Sequence, residues 1–126
     1  MIISAAVLFR GKLYVDICHA FCRRQIQKEI GEDVQLNLAE TTDLFIDDKG
    51  NALTRREAAD EAIVCRQVTN EKTLDDIFER GMDSVYVPRK DFDLVMAQRF
   101  ADEFNSRRHK TKHEQQTVPR VIEQGV

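Results

Sequence analysis

Residues 44–68 read LFIDDKGNALTRREAADEAIVCRQV, and this stretch contains the clearest strand, turn and helix pattern in the sequence. Leu44–Ile46 is a short apolar run that is typical of a buried strand. Residues 47–51 follow it, and their Asp, Gly and Asn side chains are those that turns prefer. Thr54 and Glu57 then match a capping box, in which each side chain bonds the backbone N–H of the other residue. We therefore predict a helix from this box to the end of the stretch, with its small alanines against a sheet.

The sequence before this stretch predicts a β-hairpin, a helix and a further strand. Residues 2–9 are mainly apolar, Gly11 accepts the positive φ of a tight turn, and residues 13–17 alternate as the returning strand does. From position 18 onward apolar residues recur every four positions, which predicts a helix over residues 18–30. Val34–Leu38 alternates apolar and polar residues and is predicted to be a strand.

Two more helices and one more strand are predicted beyond the central stretch. Thr73 precedes a short helical pattern over residues 74–80. Ser84–Val87 is predicted to be an edge strand that a proline ends. Asp91 is predicted to cap a last helix with an apolar stripe. Residues 107–126 are polar and lack periodicity, so we expect a mobile tail.

These elements predict a single α+β domain over residues 1–106, followed by the tail over residues 107–126. The expected core is a small antiparallel sheet, made of the N-terminal hairpin plus two or three strands. Three to four helices are expected to pack on this sheet. A chain of 126 residues has the size of one domain with a core of its own.

The composition excludes several classes of protein. The formal net charge is −3, so a uniformly basic surface is not expected and nucleic acid is an unlikely partner. The sequence has no run of 18 apolar residues, so no membrane-spanning helix is predicted. Its three cysteines form an odd number and follow no secretory leader, which indicates free thiols in a reducing compartment.

The residue patterns indicate neither a metal site nor a catalytic centre. Cys18 and Cys22 share one face of the first predicted helix, whereas His19 points elsewhere, and no second pair completes a tetrahedral set. Cys18 and His19 are also too divergent on a helix to act as nucleophile and base. We therefore expect a protein that is not an enzyme and that has no cofactor.

Two arginines at the start of the central helix point to anion binding. Arg55 and Arg56 lie in the first turn, where cations oppose the positive end of the helix dipole. Arginines beside the free N–H groups of a helix start form a cradle that suits phosphate. The alternative is a solvated pair of arginines, with Asp60 or Asp47 as partners. The basic cluster over residues 107–113 also has two interpretations: it binds phosphate, or it complements the negative end of a helix dipole.

Part of the sequence resembles a known family of small phage proteins, the Thoeris anti-defence sponge family. The resemblance covers residues 1–68. The matching residues are Gly11-Lys12-Leu13-Tyr14, His19, Phe45, Asp48-Lys49-Gly50, Arg56-Glu57-Ala58, Ala62 and Gln67-Val68. The chain departs from the family pattern at Cys18, which replaces an arginine, and at Asn51, Ala52, Cys65 and Arg66. These departures lie within the motifs themselves.

The resemblance implies a protein that binds and sequesters cyclic ADP-ribose isomers made by bacterial immune proteins. Some members of the family also hold cyclic oligonucleotides, and they assemble as dimers or larger rings. It therefore implies a homodimer or higher homo-oligomer in the host bacterial cytoplasm. Among the candidate residues, cations would clamp phosphates and an aromatic ring would stack a base. The candidate ligand-binding residues are Arg56, Arg55, His19, Arg24, Tyr86, Phe92, Arg107 and Arg108.

The sequence leaves three alternative functions open: a nucleotide-processing enzyme, weak nucleic-acid binding through the polar tail, and a protein-interaction module. The acidic pI of about 5.6 and the long last helix also suit a phage-encoded interaction module that grips a host protein and has no small ligand.

Overall fold

A computed structural model of the chain describes the backbone of residues 1–117 and the side chains of residues 1–107. The described residues form a four-stranded antiparallel sheet and four α-helices, which confirms the predicted α+β class. The strands are β1 (Ile2–Phe9), β2 (Lys12–Asp16), β3 (Thr41–Asp47) and β4 (Ala52–Leu53). The helices are α1 (His19–Ile30), α2 (Arg55–Val64), α3 (Glu71–Arg80) and α4 (Leu94–Thr117).

The sheet has the order β2-β1-β3-β4, so β1 lies in its interior. Side chains alternate between the two faces of a strand. Ala5 and Val7 of β1 therefore share a face with Phe45 of β3, which pairs with Ala5. Helix α1 covers this face with Cys22 and Ile26, and α2 covers it with Ala58, Ala59 and Ala62. Helix α4 covers the other face through Ala97 and Ala101. The result is three layers, with the sheet in the middle.

The N-terminal hairpin and the helix that follows it agree with the prediction. Arg10 and Gly11 have φ angles of 50° and 81°, as a two-residue hairpin turn requires at both of its central positions. Helix α1 ends at Ile30, and Gly31 follows with a φ of 109°. The left-handed conformation at these glycines costs no side-chain clash.

Two predicted strands are absent from the described part of the chain. Val34–Leu38 forms no strand pairing, and residues 38–40 are a short 3-10 helix. The predicted strand Ser84–Val87 is a 3-10 helix over residues 84–86 instead. Its buried residues, Ser84 and Val87, are three positions apart, which is the 3-10 period. The carboxylate of Asp83 accepts a hydrogen bond from the backbone N–H of Val85 at 3.0 Å and starts this turn.

Several predicted helix ends were also wrong. The central helix ends at Val64, because Arg66 adopts a φ of 56°. Helix α3 starts after Asn70 rather than Thr73, and α4 starts after Asp93 rather than Asp91. Helix α4 continues to Thr117, so the predicted boundary after residue 106 falls inside a helix. The rest of the predicted tail, residues 118–126, lies outside the described residues.

Two side-chain amides bond the backbone of the sheet as a neighbouring strand would. Asn105 of α4 accepts from the Leu13 N–H at 2.8 Å and donates to the Leu13 carbonyl at 3.1 Å. Gln67 accepts from the Ile2 N–H at 2.8 Å and donates to the Ile2 carbonyl at 2.6 Å. Each amide therefore satisfies one donor and one acceptor that the strand pairing leaves open.

The turn between β3 and β4 packs directly on α4. Gly50 has a φ of 88°, and a Cβ atom placed on it would lie 2.8 Å from the Cδ1 atom of Phe100. The absence of a side chain at Gly50 thus allows both the turn conformation and the close approach of the aromatic ring.

We predict that Gly50→Ala lowers the free energy of unfolding by roughly 1–3 kcal/mol, because it adds backbone strain and overpacks Phe100. Denaturant unfolding followed by circular dichroism measures this loss. Lys49→Ala is the matched control at the neighbouring exposed position and should change stability by less than about 0.5 kcal/mol. Equal stability of the two variants would contradict the packing described for this turn.

Candidate ligand-binding site

Arg55 is anchored to the protein rather than directed away from it. Its Nη2 atom donates to Asp43 at 2.7 Å, and its Nη1 atom donates to the carbonyl of Met82 at 2.7 Å. Arg23 of α1 donates to the other carboxylate oxygen of Asp43 at 2.9 Å. This partly buried cluster ties α1, β3 and α2 together. Neither predicted partner, Asp60 or Asp47, is the one that Arg55 uses.

Arg56 contacts the C-terminal end of α3. Its guanidinium donates to the carbonyls of Phe78 at 2.9 Å and Ile77 at 3.3 Å. These carbonyls are the negative end of the α3 dipole, where a cation is favourable. The predicted capping box is confirmed, and the Glu57 carboxylate accepts from the Thr54 N–H at 2.9 Å. The expected anion cradle is therefore not formed: both arginine side chains have protein partners, and a carboxylate lies at the helix start.

His19 is buried beside the Asp43 cluster, with 5% of its surface exposed. Its Nε2 atom lies 2.8 Å from the Leu44 carbonyl, so this nitrogen is the donor in the neutral ring. The ring meets Phe45 edge-on, with 4.9 Å between the ring centres. Burial lowers the pKa of His19, and the neighbouring Arg55 and Arg23 act in the same direction. The imidazole thus has a structural hydrogen bond and favours the neutral form.

Arg24 lies in an open groove of about 690 Å³ between α1 and the loop over residues 31–38, which we call the α1 groove. Its guanidinium lies 5.3 Å from the centre of the Phe21 ring. The groove also contains the side chains of Glu32 and Asp33, so its charge is mixed. An anionic ligand would meet both attraction and repulsion there.

The two predicted aromatic candidates have different surroundings. The Tyr86 hydroxyl donates to Asp76 at 2.6 Å, and this hydrogen bond raises the pKa of Tyr86. Phe92 precedes α4 and lines a cavity of about 380 Å³, which we call the Phe92 cavity. Its lining is Ile17, Cys18, Ser84, Val85, Val87, Arg89 and Phe92.

Three side chains of the Phe92 cavity were not among the predicted site residues. Arg89 is exposed and makes no hydrogen bond or ion pair with any side chain that the structure describes. Ser84 is 8% exposed, and its hydroxyl has no hydrogen-bond partner among the described residues. Cys18 completes the polar set from the start of α1. Arg89 follows the proline that ends the predicted strand, and no pattern in the neighbouring sequence marks it as a site residue.

The last two candidates, Arg107 and Arg108, lie on α4. Arg107 lies on α4, 3.7 Å from the Glu103 carboxylate one helical turn away, and it lines neither the Phe92 cavity nor the α1 groove. Arg108 lies on α4 as well, and its side chain is outside the described residues. The seven predicted residues whose side chains are described therefore do not form one site. Phe92 and Arg24 line separate openings, while His19, Arg55, Arg56 and Tyr86 have protein partners.

Neither a metal cluster nor a membrane span is found in the described part of the chain. No group of three or more His, Cys, Asp or Glu side chains there is arranged to hold a metal ion. None of the helices that the structure describes is long and apolar enough to cross a membrane. Comparison of the chain with protein-family models, with curated proteins and with solved structures found no match.

We predict that the protein loses stability as the pH falls, through His19. The folded state holds this imidazole at a pKa below its ordinary value of 6.5, so the unfolded chain binds the proton more readily. The stability of the folded state is therefore highest above pH 6.5, where His19 is neutral in both states, and it falls as the pH drops below that value. The melting temperature should therefore fall between about pH 7.5 and about pH 5.5.

His19→Gln tests the source of this pH dependence, because Gln can donate to Leu44 but does not titrate. The variant should have a flatter profile of melting temperature against pH than the parent protein has. A parent slope retained in His19→Gln would assign the effect to other groups.

We also predict that Arg56→Ala lowers the free energy of unfolding by roughly 0.3–1 kcal/mol, because α3 loses a cation at its C-terminal carbonyls. Chemical denaturation measures the change, with the exposed Arg99→Ala on α4 as the control. If Arg56→Ala is as stable as Arg99→Ala, the contact with α3 contributes nothing.

Proposed function

We propose that the protein binds and sequesters a cyclic nucleotide immune signal without cleaving it, as a phage or prophage anti-defence protein. The ligand is a cyclic ADP-ribose isomer or, as a second class, a cyclic oligonucleotide. The resemblance over residues 1–68 supports this class of ligand. The observation that carries the proposal is the Phe92 cavity, which is lined by an aromatic ring and by an arginine that has no side-chain partner among the described residues.

The side chains of the Phe92 cavity have the chemistry that a nucleotide needs. A base stacks on the face of an aromatic ring, and Phe92 supplies that ring. A phosphate forms charge-assisted hydrogen bonds with a guanidinium, and Arg89 supplies one that no described side chain occupies. Ser84 has 8% of its surface exposed, and its hydroxyl has no hydrogen-bond partner among the described residues, so a polar ligand atom can bond it. The cavity volume of about 380 Å³ lies in the range of roughly 300–1,000 Å³ that small-molecule sites have.

Sequestration rather than turnover fits the surroundings of the nucleophilic side chains. A serine or cysteine nucleophile needs a base within hydrogen-bond distance. The Nε2 atom of His19 is instead 2.8 Å from a backbone carbonyl, and the hydroxyl of Ser84 is bonded to no described group. The proposal therefore assigns binding, and no bond cleavage, to this cavity.

A homodimer or higher homo-oligomer is part of the proposal. Val85 lines the Phe92 cavity and is 76% exposed, which is unusual for a large apolar side chain beside a ligand site. A second copy that covers Val85 would remove this surface from water and enclose a bound ligand.

A second candidate function is an interaction module that grips a host protein. The α1 groove supports it, because the apolar residues Phe21, Val34 and Leu38 are 39%, 50% and 63% exposed on this side of the molecule. Exposed apolar residues gathered on one surface are typical of protein interaction sites. In this case the purified protein would carry no nucleotide.

We predict that the purified protein binds a cyclic ADP-ribose isomer or a cyclic di- or trinucleotide, and that Arg89→Ala and Phe92→Ala each weaken binding by about tenfold. The reason is the loss of one charge-assisted contact or one stacking contact, each worth roughly 1–3 kcal/mol. Isothermal titration calorimetry measures the affinity. Mass spectrometry of small molecules released by heating shows whether the ligand is recovered unchanged.

Arg99→Ala is the matched control, since Arg99 is an exposed arginine that lines neither the Phe92 cavity nor the α1 groove. It should bind as the parent protein does. No binding of any of these nucleotides at micromolar concentrations would overturn the proposed function. Recovery of a cleaved ligand would replace sequestration by an enzymatic activity. A loss of affinity in Arg24→Ala but not in Arg89→Ala would place the ligand in the α1 groove.

A further inference from the structure

The three cysteines have three different environments. Cys22 is fully buried, and burial raises the pKa of its thiol, so it is protected from reagents. Cys65 is exposed, and its thiol donates to the Glu61 carboxylate at 3.2 Å. Cys18 is partly exposed and lines the Phe92 cavity. Cys18 thus lies in a cavity that a small molecule can enter.

The same cavity contains two further groups that point to a ligand beside Cys18. The hydroxyl of Ser84, a residue with 8% of its surface exposed, has no hydrogen-bond partner among the described residues. A polar atom of a ligand in the cavity can therefore bond this hydroxyl. Arg89 adds a cation whose guanidinium is bonded to no described side chain. A molecule with an anionic group and a polar group therefore has two partners in the cavity that Cys18 lines.

We propose that Cys18 is a modification site for a small anionic disulfide, of the class of glutathione disulfide. A carboxylate of the disulfide pairs with Arg89, and the peptide part bonds the Ser84 hydroxyl. The Cys18 thiolate attacks one sulfur, the sulfur–sulfur bond of the reagent breaks, and a new bond joins Cys18 to that sulfur. The other half leaves as a thiolate and takes up the proton that Cys18 lost. No external oxidant is needed, because one disulfide replaces another.

The modification has a consequence for ligand binding, and this consequence rests on the proposed function. An adduct on Cys18 occupies the space between Ser84 and Phe92. It would exclude a nucleotide from the Phe92 cavity until a thiol reductant removes it. The modification itself is independent of any nucleotide.

The test uses the reduced full chain without nucleotide and two disulfides of opposite charge. Glutathione disulfide is anionic, and cystamine is cationic. Intact-mass spectrometry with peptide mapping follows the adducts on Cys18 and Cys65. Glutathione disulfide should modify Cys18 about tenfold faster than Cys65, because Arg89 attracts it, whereas the Glu61 carboxylate and the Met1 ammonium beside Cys65 offset each other. Cystamine should show a smaller preference or the reverse one.

Variants separate the role of the cavity from general thiol exposure. Arg89→Ala should reduce the preference of glutathione disulfide for Cys18 to about that of cystamine, whereas Arg99→Ala should leave it unchanged. Cys18→Ser should abolish the first adduct and leave the reaction of Cys65 as it was. Circular dichroism confirms that each variant is folded.

Faster reaction at Cys65 than at Cys18 with glutathione disulfide would overturn the proposal. So would a Cys18 reaction that is the same with both disulfides and insensitive to Arg89→Ala. If Cys18 is modified as expected but no nucleotide binds, the proposed function fails and the modification site stands. If a nucleotide binds and Cys18 does not react, the reverse holds.

Discussion

Strand β1 lies between β2 and β3 and has helices on both of its faces, so nearly all of its side chains are withdrawn from water. A strand in this position is expected to be apolar on both faces, and residues 2–9 are apolar except for the buried Ser4, whose hydroxyl has no hydrogen-bond partner among the described residues. Each fully buried large apolar side chain contributes roughly 1.5–3 kcal/mol. The small residues Ala5 and Ala6 allow α1 and α4 to approach from opposite sides. The positions of all four helices therefore depend on how β1 is covered.

A sheet of four strands with a central β1 leaves two edges, and side chains occupy their backbone groups. On the β2 edge, Asn105 bonds both backbone groups of Leu13, and Gln25 donates to the Val15 carbonyl at 2.8 Å. On the other side, β4 covers only part of β3, and His19 bonds a carbonyl of β3. Unpaired edges invite pairing with other chains, so these contacts protect the sheet. They also leave the loops and helix starts as the surfaces where a ligand can be bound.

The elements that the sequence predicted correctly are those whose signals are local. The hairpin turn, the capping box of α2 and the four-residue period of α1 each follow from neighbours along the chain. The two segments wrongly predicted to be strands have strand-like sequences but are not paired in a sheet. In Val34–Leu38 only Leu36 packs against the core, and no neighbouring strand is available to pair. In Ser84–Val87 the bulky apolar residues are typical of a strand, but Asp83 accepts a hydrogen bond from the Val85 N–H and starts a 3-10 turn instead. Alternation alone does not show whether a segment has a pairing partner.

The arginines show why the candidate site was harder to predict than the fold. Arg55 and Arg56 oppose their own helix dipole, which suggested a ligand anion as the compensating charge. The compensation comes from distant parts of the chain instead: Asp43 bonds Arg55, and the last carbonyls of α3 bond Arg56. The Arg56 contact forms because the end of α3 lies beside the first turn of α2. No pattern in the neighbouring sequence predicts that arrangement. Arg89 differs from both, because its sequence neighbours gave no indication of a binding role and its side chain has no partner among the described residues. A cation without a partner among the described residues is the better candidate for binding a ligand, and Arg89 lines the same cavity as Phe92.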